Sequence, residues 1–243
     1  MTKKTVEVCH SPLLFPLFSN ENTIVVVIDV LRATSAICTA FHHGVDRIIP
    51  VATVEEAAAY RSKGYIAAAE RQGEMVEGFD LGNSPFSYMN EQIKGKTVIL
   101  TTTNGTQAIE VSKKSSKVVI GSFLNLDALS QWLAGENKNI LLLCSGWKNK
   151  FNLEDTLFAG AVTQQLSETG TFEIACDSAI AAQRLYELAK NDLYGFLEHS
   201  SHRNRLRKLN LDKDTRYCLT PNQTKAIPVL EGESLVLLKR TDS

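Results

Sequence analysis

Short apolar runs of strand length recur along the chain and show almost no alternation between apolar and polar positions. Such runs are typical of strands that are buried on both faces of a sheet, as in parallel sheets covered by helices. The clearest of them begins at Ile24 and contains a single carboxylate, Asp29. Strands are predicted at residues 5–8, 24–30, 47–51, 65–69, 97–100, 117–120, 140–143 and 172–176.

Segments with the helical spacing of apolar residues lie between these strands. Helices are predicted at residues 34–43, 54–63, 105–113, 125–134, 154–168 and 178–191. Because strand and helix alternate, the pattern predicts an α/β fold with three layers, α/β/α, around a mostly parallel, mixed sheet. A last apolar run, residues 234–238, is predicted to return as an edge strand.

No linker rich in Gly, Ser or Pro and no internal repeat divides the chain. Residues 1–243 are therefore predicted to form a single α/β domain. A basic helical segment at about 194–214 has few large apolar residues, and it is predicted as an insertion in that domain.

The composition of the chain argues against several classes of function. Lys and Arg number 26 and Asp and Glu 27, so the formal net charge is −1 and neither a nucleic acid nor a membrane surface is an expected partner. The five cysteines have no zinc-like spacing, which favours reduced thiols. No apolar run approaches the roughly 18 residues of a membrane span, and no signal peptide begins the chain. We expect a soluble, cytoplasmic protein. We also expect a homodimer, because dimers are the commonest assemblies of soluble oligomeric proteins.

The first candidate site residues follow the strand that begins at Ile24. Ligands of such sheets bind beyond the carboxyl ends of the strands, where Asp29 and Arg32 are expected. A carboxylate and a guanidinium there can hold a hard cation beside a phosphate. The alternative is an aspartate that only caps the next helix. A covalent aspartyl-phosphate is disfavoured, because Leu31 stands where haloacid-dehalogenase-like phosphatases carry the acid that protonates the leaving group.

A second polar segment follows the strand predicted at 65–69. Glu70 offers a cation ligand and Arg71 an anion clamp. The Gly-punctuated loop after them adds Asp80, Asn83 and Ser84 as candidates. Turn formation alone is the alternative explanation for this loop.

A third segment, residues 101–106, reads Thr-Thr-Thr-Asn-Gly-Thr between a strand and a helix. Backbone N–H groups at a helix amino-terminus favour an anion, so Thr103, Asn104, Gly105 and Thr106 are candidate phosphate ligands. The segment lacks the pattern of a Walker loop. A plain helix cap is the alternative.

A fourth segment surrounds Cys144. Cysteine phosphatases carry an arginine six residues after the nucleophile, but Lys150 stands there, so Cys144 is interpreted as a buried strand residue. Ser145 is a candidate substrate ligand. Glu154 and Asp155 open a helix, where acids favour the dipole, and they are also candidates for orienting a metal ion or water.

A fifth segment is the basic stretch from 202 to 209. His202 and Arg205 are candidates for binding an anionic group at the mouth of a pocket. A solvated helical face is the alternative for most of its charges.

Taken together, these segments resemble the 2-phosphosulfolactate phosphatase family, whose members carry similar runs in the same order. The matching stretches are residues 27–35, 70–71, 78–85, 101–106, 153–155 and 159–160, followed by His202, Arg205, Leu206, Leu209, Asp214 and Cys218. Two positions depart from the expected family pattern. Arg203 stands where a glycine is expected, and Asn222 where an aspartate is expected, and both concern the substrate end.

The resemblance implies a magnesium-dependent hydrolase that converts 2-phospho-3-sulfolactate to 3-sulfolactate and inorganic phosphate, in a route to coenzyme M. The Mg²⁺ ligands are then expected to be Asp29, Glu70 and Asp155. Phosphoryl oxygens are expected to meet Arg32, Arg71 and residues 103–106, with Asp80 or Glu154 as base. A water activated by the cation is the preferred nucleophile.

Two other functions stay open. One is a metal-dependent phosphatase for another small phosphorylated hydroxy acid. The other is a non-catalytic phosphate-ester-binding protein, which the acidic strand ends disfavour because they repel an anion unless a cation is present.

Overall fold

One eleven-stranded sheet runs through the protein, and helices cover both of its faces. The structure, a computed structural model, describes residues 3–18 and 22–239. The strands are β1 Lys4–Cys9, β2 Thr23–Ile28, β3 Arg47–Pro50, β4 Ile66–Arg71, β5 Glu74–Met75, β6 Thr97–Thr101, β7 Lys117–Gly121, β8 Asn139–Cys144, β9 Phe172–Ile174, β10 Pro228–Glu231 and β11 Ser234–Leu237.

The α-helices mostly follow single strands, as the alternating pattern predicted. They are α1 Ala33–His42, α2 Val54–Arg61, α3 Gly105–Ser112, α4 Leu126–Gly135, α5 Leu153–Glu168, α6 Asp177–Ala189, α7 Leu193–Phe196, α8 Ser201–Lys208 and α9 Asp212–Cys218. Short 3-10 helices occupy Pro12–Leu17, Pro85–Tyr88, Glu91–Ile93 and Phe123–Asn125. Several helices begin at a residue whose side chain caps them. In α2, for example, Thr53 accepts the Glu56 N–H, and in α5 Asn152 accepts the Asp155 N–H.

Two parallel groups of strands make up most of the sheet. The strand order is β5-β4-β6-β3-β11-β10-β7-β2-β8-β1-β9. Strands β4, β6 and β3 are parallel, and so are β7, β2, β8, β1 and β9. The three-layer α/β fold with a mostly parallel, mixed sheet is therefore confirmed.

The carboxyl-terminal hairpin β10–β11 joins the two groups, and here the prediction of an edge strand at 234–238 was wrong. β11 pairs with β3, and β10 pairs with β7, both in antiparallel orientation. With the antiparallel pairing inside the hairpin, three reversals separate β3 from β7. The two groups therefore run in opposite directions along the hydrogen-bonded order. Residues at or just after the carboxyl ends of strands from both groups nevertheless line one cavity, described below.

Strand β2 is the centre of the core, with all six residues buried. Ile24, Val26 and Ile28 pack into one core with apolar residues of α4, α5 and α6. Val25 and Val27 face a second core, which includes residues of α1, α3 and both strand groups. This burial on both faces explains why residues 24–28 are all apolar. Among the described residues, no helix is long and apolar enough to cross a membrane.

Candidate active site

A small cavity lies where the ends of β2, β4, β6 and β8 meet helix α8. Its volume is about 20 Å³, which is room for a water molecule or an ion. The lining residues are Asp29, Leu31, Arg32, Glu70, Gln72, Gly73, Asn83, Asn104, Trp147, His202, Arg205 and Leu206. Seven of the sequence-predicted site residues are brought together here: Asp29, Arg32, Glu70, Asn83, Asn104, His202 and Arg205.

Asp29 directly follows β2 and is 8% exposed. Thr34 fixes its main chain, because the Asp29 N–H donates to Thr34 Oγ1 at 3.1 Å and the Thr34 N–H donates to Asp29 O at 2.9 Å. Burial, followed by the nearby charge of Asp155, raises the pKa of the Asp29 carboxyl to about 8, although His202 opposes the shift. A carboxylate in this position is stabilised when a cation binds beside it.

Gly105 brings the 101–106 loop against Asp29 without lining the cavity itself. A Cβ at this position would lie 3.0 Å from Asp29 Oδ2 and 2.9 Å from the Ala33 Cβ. The glycine is therefore required by the close approach of two loops.

Arg32 ties three parts of the chain together. Its Nη1 donates to Asp214 Oδ2 of α9 at 2.5 Å, and its Nη2 donates to the carbonyl oxygen of Gly73 at 2.5 Å. Its side chain is only 4% exposed. A buried guanidinium with a fixed orientation is suited to bind an anion in the cavity.

Glu70, in β4, receives hydrogen bonds from two loops. Its Oε1 accepts the Gly73 N–H at 2.5 Å, and its Oε2 accepts the Thr103 N–H at 3.3 Å. Asn83 Nδ2 donates to Oε2 at 3.4 Å. The other amide atom, Asn83 Oδ1, is buried without a hydrogen-bond partner in the described structure. Two oxygen-bearing side chains therefore lie together in the cavity wall.

Glu154, predicted as a catalytic residue, is fully inaccessible to solvent and lies behind the cavity wall, where it contacts His202. Its Oε1 lies 2.5 Å from His202 Nδ1, and its Oε2 has no hydrogen-bond partner among the residues described. Trp147 lies against this pair, with its ring 5.6 Å from the imidazole and 4.1 Å from Arg205 Cζ. Because Nδ1 is bound to Glu154, the imidazole has a fixed orientation in the cavity wall.

Asp155, predicted as a metal ligand, has a different environment and does not line the cavity. Its Oδ1 accepts the Val30 N–H at 2.8 Å, and its Oδ2 accepts Asn152 Nδ2 at 2.8 Å and the Gly146 N–H at 3.2 Å. Burial, then the charge of Glu154, raises the pKa of this carboxyl to about 8. These three donors occupy it, so Asp155 joins the loops after β2 and β8.

Asp80, predicted as a base, is also remote from the cavity. Its carboxylate pairs with Arg61 at 3.3 Å and accepts the Ala67 N–H at 3.0 Å. It lies in an open depression beside α2 and β4. This carboxylate stabilises the start of β4.

The other predicted ligands also lie outside the cavity. Arg71, Thr103 and Thr106 line a second cavity beside α3. Ser145 is buried, and its N–H donates to Ile28 O at 2.7 Å. Ser84 is half-buried at the start of a 3-10 helix. None of these five lines the cavity, although the Thr103 N–H donates to Glu70 in its wall.

Sequence reasoning missed several cavity residues. Trp147, Gln72 and Gly73 line the cavity but carry no charge, so they were not candidates. Leu206 also lines it, and it was identified only as a match to the family pattern. Asp214 matched the family pattern, yet its pairing with Arg32 connects residues 182 positions apart. The positive φ of Gln72, 59°, and of Gly73, 95°, belongs to a tight turn after β4 that a Gln-Gly pair could have indicated.

A resident cation is compatible with this cavity only if it needs few protein ligands. The described residues contain no group of three His, Cys, Asp or Glu side chains arranged to hold a metal ion. Mg²⁺ usually takes one or two carboxylates and keeps several waters. Asp29, Glu70 and the unpartnered oxygen of Asn83 meet that requirement.

Buried carboxylates next to a fixed guanidinium, at the strand ends of an α/β sheet, are an arrangement that suits an enzyme hydrolysing phosphate esters. Comparison with known proteins gives the particular family. Residues 9–233 match the family model described as 2-phosphosulpholactate phosphatase, and the chain belongs to this family.

Curated relatives support the assignment over most of the chain. A protein of Thermotoga petrophila named "Probable 2-phosphosulfolactate phosphatase" is 44% identical over 212 residues, covering 87% of this chain and 91% of its own. Proteins with the same name from Caldanaerobacter subterraneus and Synechocystis are 39% and 38% identical. They cover 86% and 91% of this chain and 88% and 94% of their own.

Proposed function

We propose that this protein hydrolyses the phosphate monoester of 2-phospho-3-sulfolactate to 3-sulfolactate and inorganic phosphate, with the assistance of Mg²⁺. The observation that carries the proposal is the shared cavity of Asp29, Glu70 and Arg32, whose positions in the chain are far apart. The names of the relatives support the choice of substrate. A cytoplasmic location, a homodimer and a single domain with an insertion at 194–214 stay predictions.

Asp29, Glu70 and Asn83 are the residues that would hold Mg²⁺. When bound, the ion supplies positive charge to the phosphoryl oxygens and makes water a better nucleophile. Arg32 binds the phosphoryl group as a guanidinium whose direction is fixed by Asp214 and Gly73. A donor of this kind, oriented before the substrate binds, stabilises the charge that develops in the transition state.

The ester leaving group is a secondary alkoxide, which departs poorly unless it receives a proton. His202 is suited to give that proton. Its Nδ1 is held by Glu154, which leaves Nε2 to face the ester oxygen. Arg205, stacked on Trp147 at the same wall, is suited to bind the sulfonate or carboxylate end.

The cavity, with about 20 Å³, is too small for the complete ester. Substrate entry therefore requires movement of the side chains that close it. Trp147 and Arg205 are the candidates, because they stack on each other rather than being held by buried ion pairs. Arg32 and Glu70 are fixed by short hydrogen bonds and are expected to stay in position.

A panel of phosphate esters tests the proposed function. We expect release of inorganic phosphate from 2-phospho-3-sulfolactate, and loss of activity when EDTA removes divalent ions and recovery when Mg²⁺ is returned. Phospholactate and phosphoglycerate serve as matched esters without the sulfonate, and their lower kcat/KM is expected because Arg205 loses a partner. Binding of the ester without phosphate release would refute the proposal.

His202→Gln should slow hydrolysis in a manner that depends on the leaving group. General acid catalysis contributes about 10²–10⁴-fold for a poor leaving group. We expect a loss of this size with the alkyl ester and only a small loss with 4-nitrophenyl phosphate, whose phenolate leaves without a proton. His199→Gln, at an exposed histidine, is the matched control. Equal losses with both esters would mean that His202 only binds or positions the substrate.

A further inference from the structure

Arg71 is the last residue of β4, and it does not line the catalytic cavity. Neighbouring residues of a strand point to opposite sides, so Arg71 faces away from the cavity that Glu70 lines. It lines a second cavity of about 370 Å³, beside α3 and the segment after β3. Ligand pockets for small molecules have volumes of about 300–1,000 Å³.

The guanidinium of Arg71 is fixed without a carboxylate. Its Nη1 donates to Glu70 O at 2.7 Å, and its Nη2 donates to Thr101 Oγ1 at 3.0 Å. Within the described ranges, no salt bridge to Arg71 is formed. The guanidinium has five N–H donors, so some stay available after these two hydrogen bonds are formed. The positive charge of Arg71 is therefore uncompensated at the wall of a cavity.

The remaining walls are mixed in character. Val51, Ile109 and Val111 supply apolar surface, and Gln107 adds an exposed amide. The acid of this cavity, Glu110, is paired with Lys113 at 2.6 Å and has a side chain that is 64% exposed, so its charge is screened by solvent. A ligand with an anionic head beside Arg71 and an apolar body against Val51 and Val111 complements these walls.

We propose that this second cavity binds a small organic anion, a carboxylate or sulfonate with a short apolar body. Thr103 connects it to the catalytic cavity, because this residue lines the second cavity while its hydroxyl donates to Glu70 Oε2 at 3.3 Å. A ligand that accepts the Thr103 hydroxyl removes one hydrogen bond from Glu70. An effect of the ligand on turnover rests on the proposed function, whereas its binding does not.

Binding of 4-fluorobenzoate and of 3,3,3-trifluoropropionate to the intact, metal-free protein, followed by ¹⁹F NMR, tests the proposal. We expect saturable binding with a Kd on the order of 1 mM, as for ligands of this size. Arg71→Gln should weaken it by about 10-fold or more, because a charge-assisted hydrogen bond is lost. Gln107→Glu should weaken it several-fold through like-charge repulsion, and it leaves the hydrogen bonds of Glu70 unchanged.

The controls separate this cavity from the catalytic one. Arg61→Gln removes an arginine that pairs with Asp80 elsewhere on the protein, and it should leave the Kd unchanged. Arg205→Gln should also leave it unchanged, because that residue lines only the catalytic cavity. Absence of saturable binding for both probes overturns the proposal. So does binding that is lost in Arg205→Gln and kept in Arg71→Gln. Neither result would contradict the proposed function, because the panel of phosphate esters tests that function separately.

Discussion

Replacing Asp29 by asparagine is expected to lower phosphate release by about 10³-fold or more, an effect at the upper end of losses from removing one electrostatic group. Asparagine keeps the size of the side chain but removes the negative charge that attracts a cation to the cavity. The fold should survive, because burial, followed by the nearby charge of Asp155, raises the pKa of Asp29 to about 8 and disfavours its charged form. We therefore expect the melting temperature of the metal-free variant to equal or exceed that of the wild type.

Asp80→Asn is the matched control for this prediction. It makes the same chemical change in a carboxylate that pairs with Arg61 near the surface, outside the cavity. Exposed ion pairs contribute about 0–1 kcal/mol, so both stability and kcat/KM should change little. Full activity of Asp29→Asn, or an equal loss in Asp80→Asn, would contradict the assignment of Asp29.

Arg32→Ala is expected to be the second large effect, and it acts on stability as well as on rate. Its ion pair with Asp214 is almost fully buried, with side chains 4% and 9% exposed. Removing one partner leaves a buried charge, which costs about 3–5 kcal/mol. The rate of phosphate release should also fall by about 10²–10³-fold, because an anion-binding donor is lost. Urea unfolding and the ester assay measure the two effects separately.

A double variant separates the structural role of Arg32 from the chemical one. Arg32→Met combined with Asp214→Leu replaces the buried pair by apolar side chains of similar size, which is often neutral or stabilising. We expect the free energy of unfolding to recover while phosphate release stays low. Recovery of both would show that Arg32 only holds α9 in place. Arg32→Lys should not restore activity, because an ammonium lacks the fork that reaches Asp214 and Gly73 together.

Much of the fold could be predicted because the strands of the centre are continuously apolar. β2 and β8 were located by their pattern alone, and the helices between strands lie close to the predicted ranges. β11 was also located, within the strand predicted at 234–238, but β10 and the pairing of the hairpin β10–β11 were not. Its first strand has four residues and begins with Pro228, and its pairing partners are remote in the chain. Local pattern does not determine a pairing of that kind.

The candidate site was predictable where a charged residue directly follows a strand. Asp29 is of this kind, Arg32 follows three residues later, and Glu70 lies in the last residues of its strand. The assignment of Arg71 to the same cavity ignored the alternation of side chains along a strand, which directs neighbouring residues to opposite sides. Spacing along the chain could not show that the adjacent carboxylates Glu154 and Asp155 have different environments. The distinction depends on the Val30 and Gly146 N–H groups, which only the folded loops bring to Asp155.

Anomalous X-ray diffraction from crystals soaked with Mn²⁺ in place of Mg²⁺ tests most directly whether Asp29 and Glu70 hold a cation beside Arg32. We expect one strong peak in the cavity, about 2.0–2.3 Å from carboxylate oxygens of both residues, and no such peak in Asp29→Asn. A peak bound instead by Asp155 or Asp80, or a cavity without manganese in an enzyme that is active with Mn²⁺, would contradict the proposed cation site.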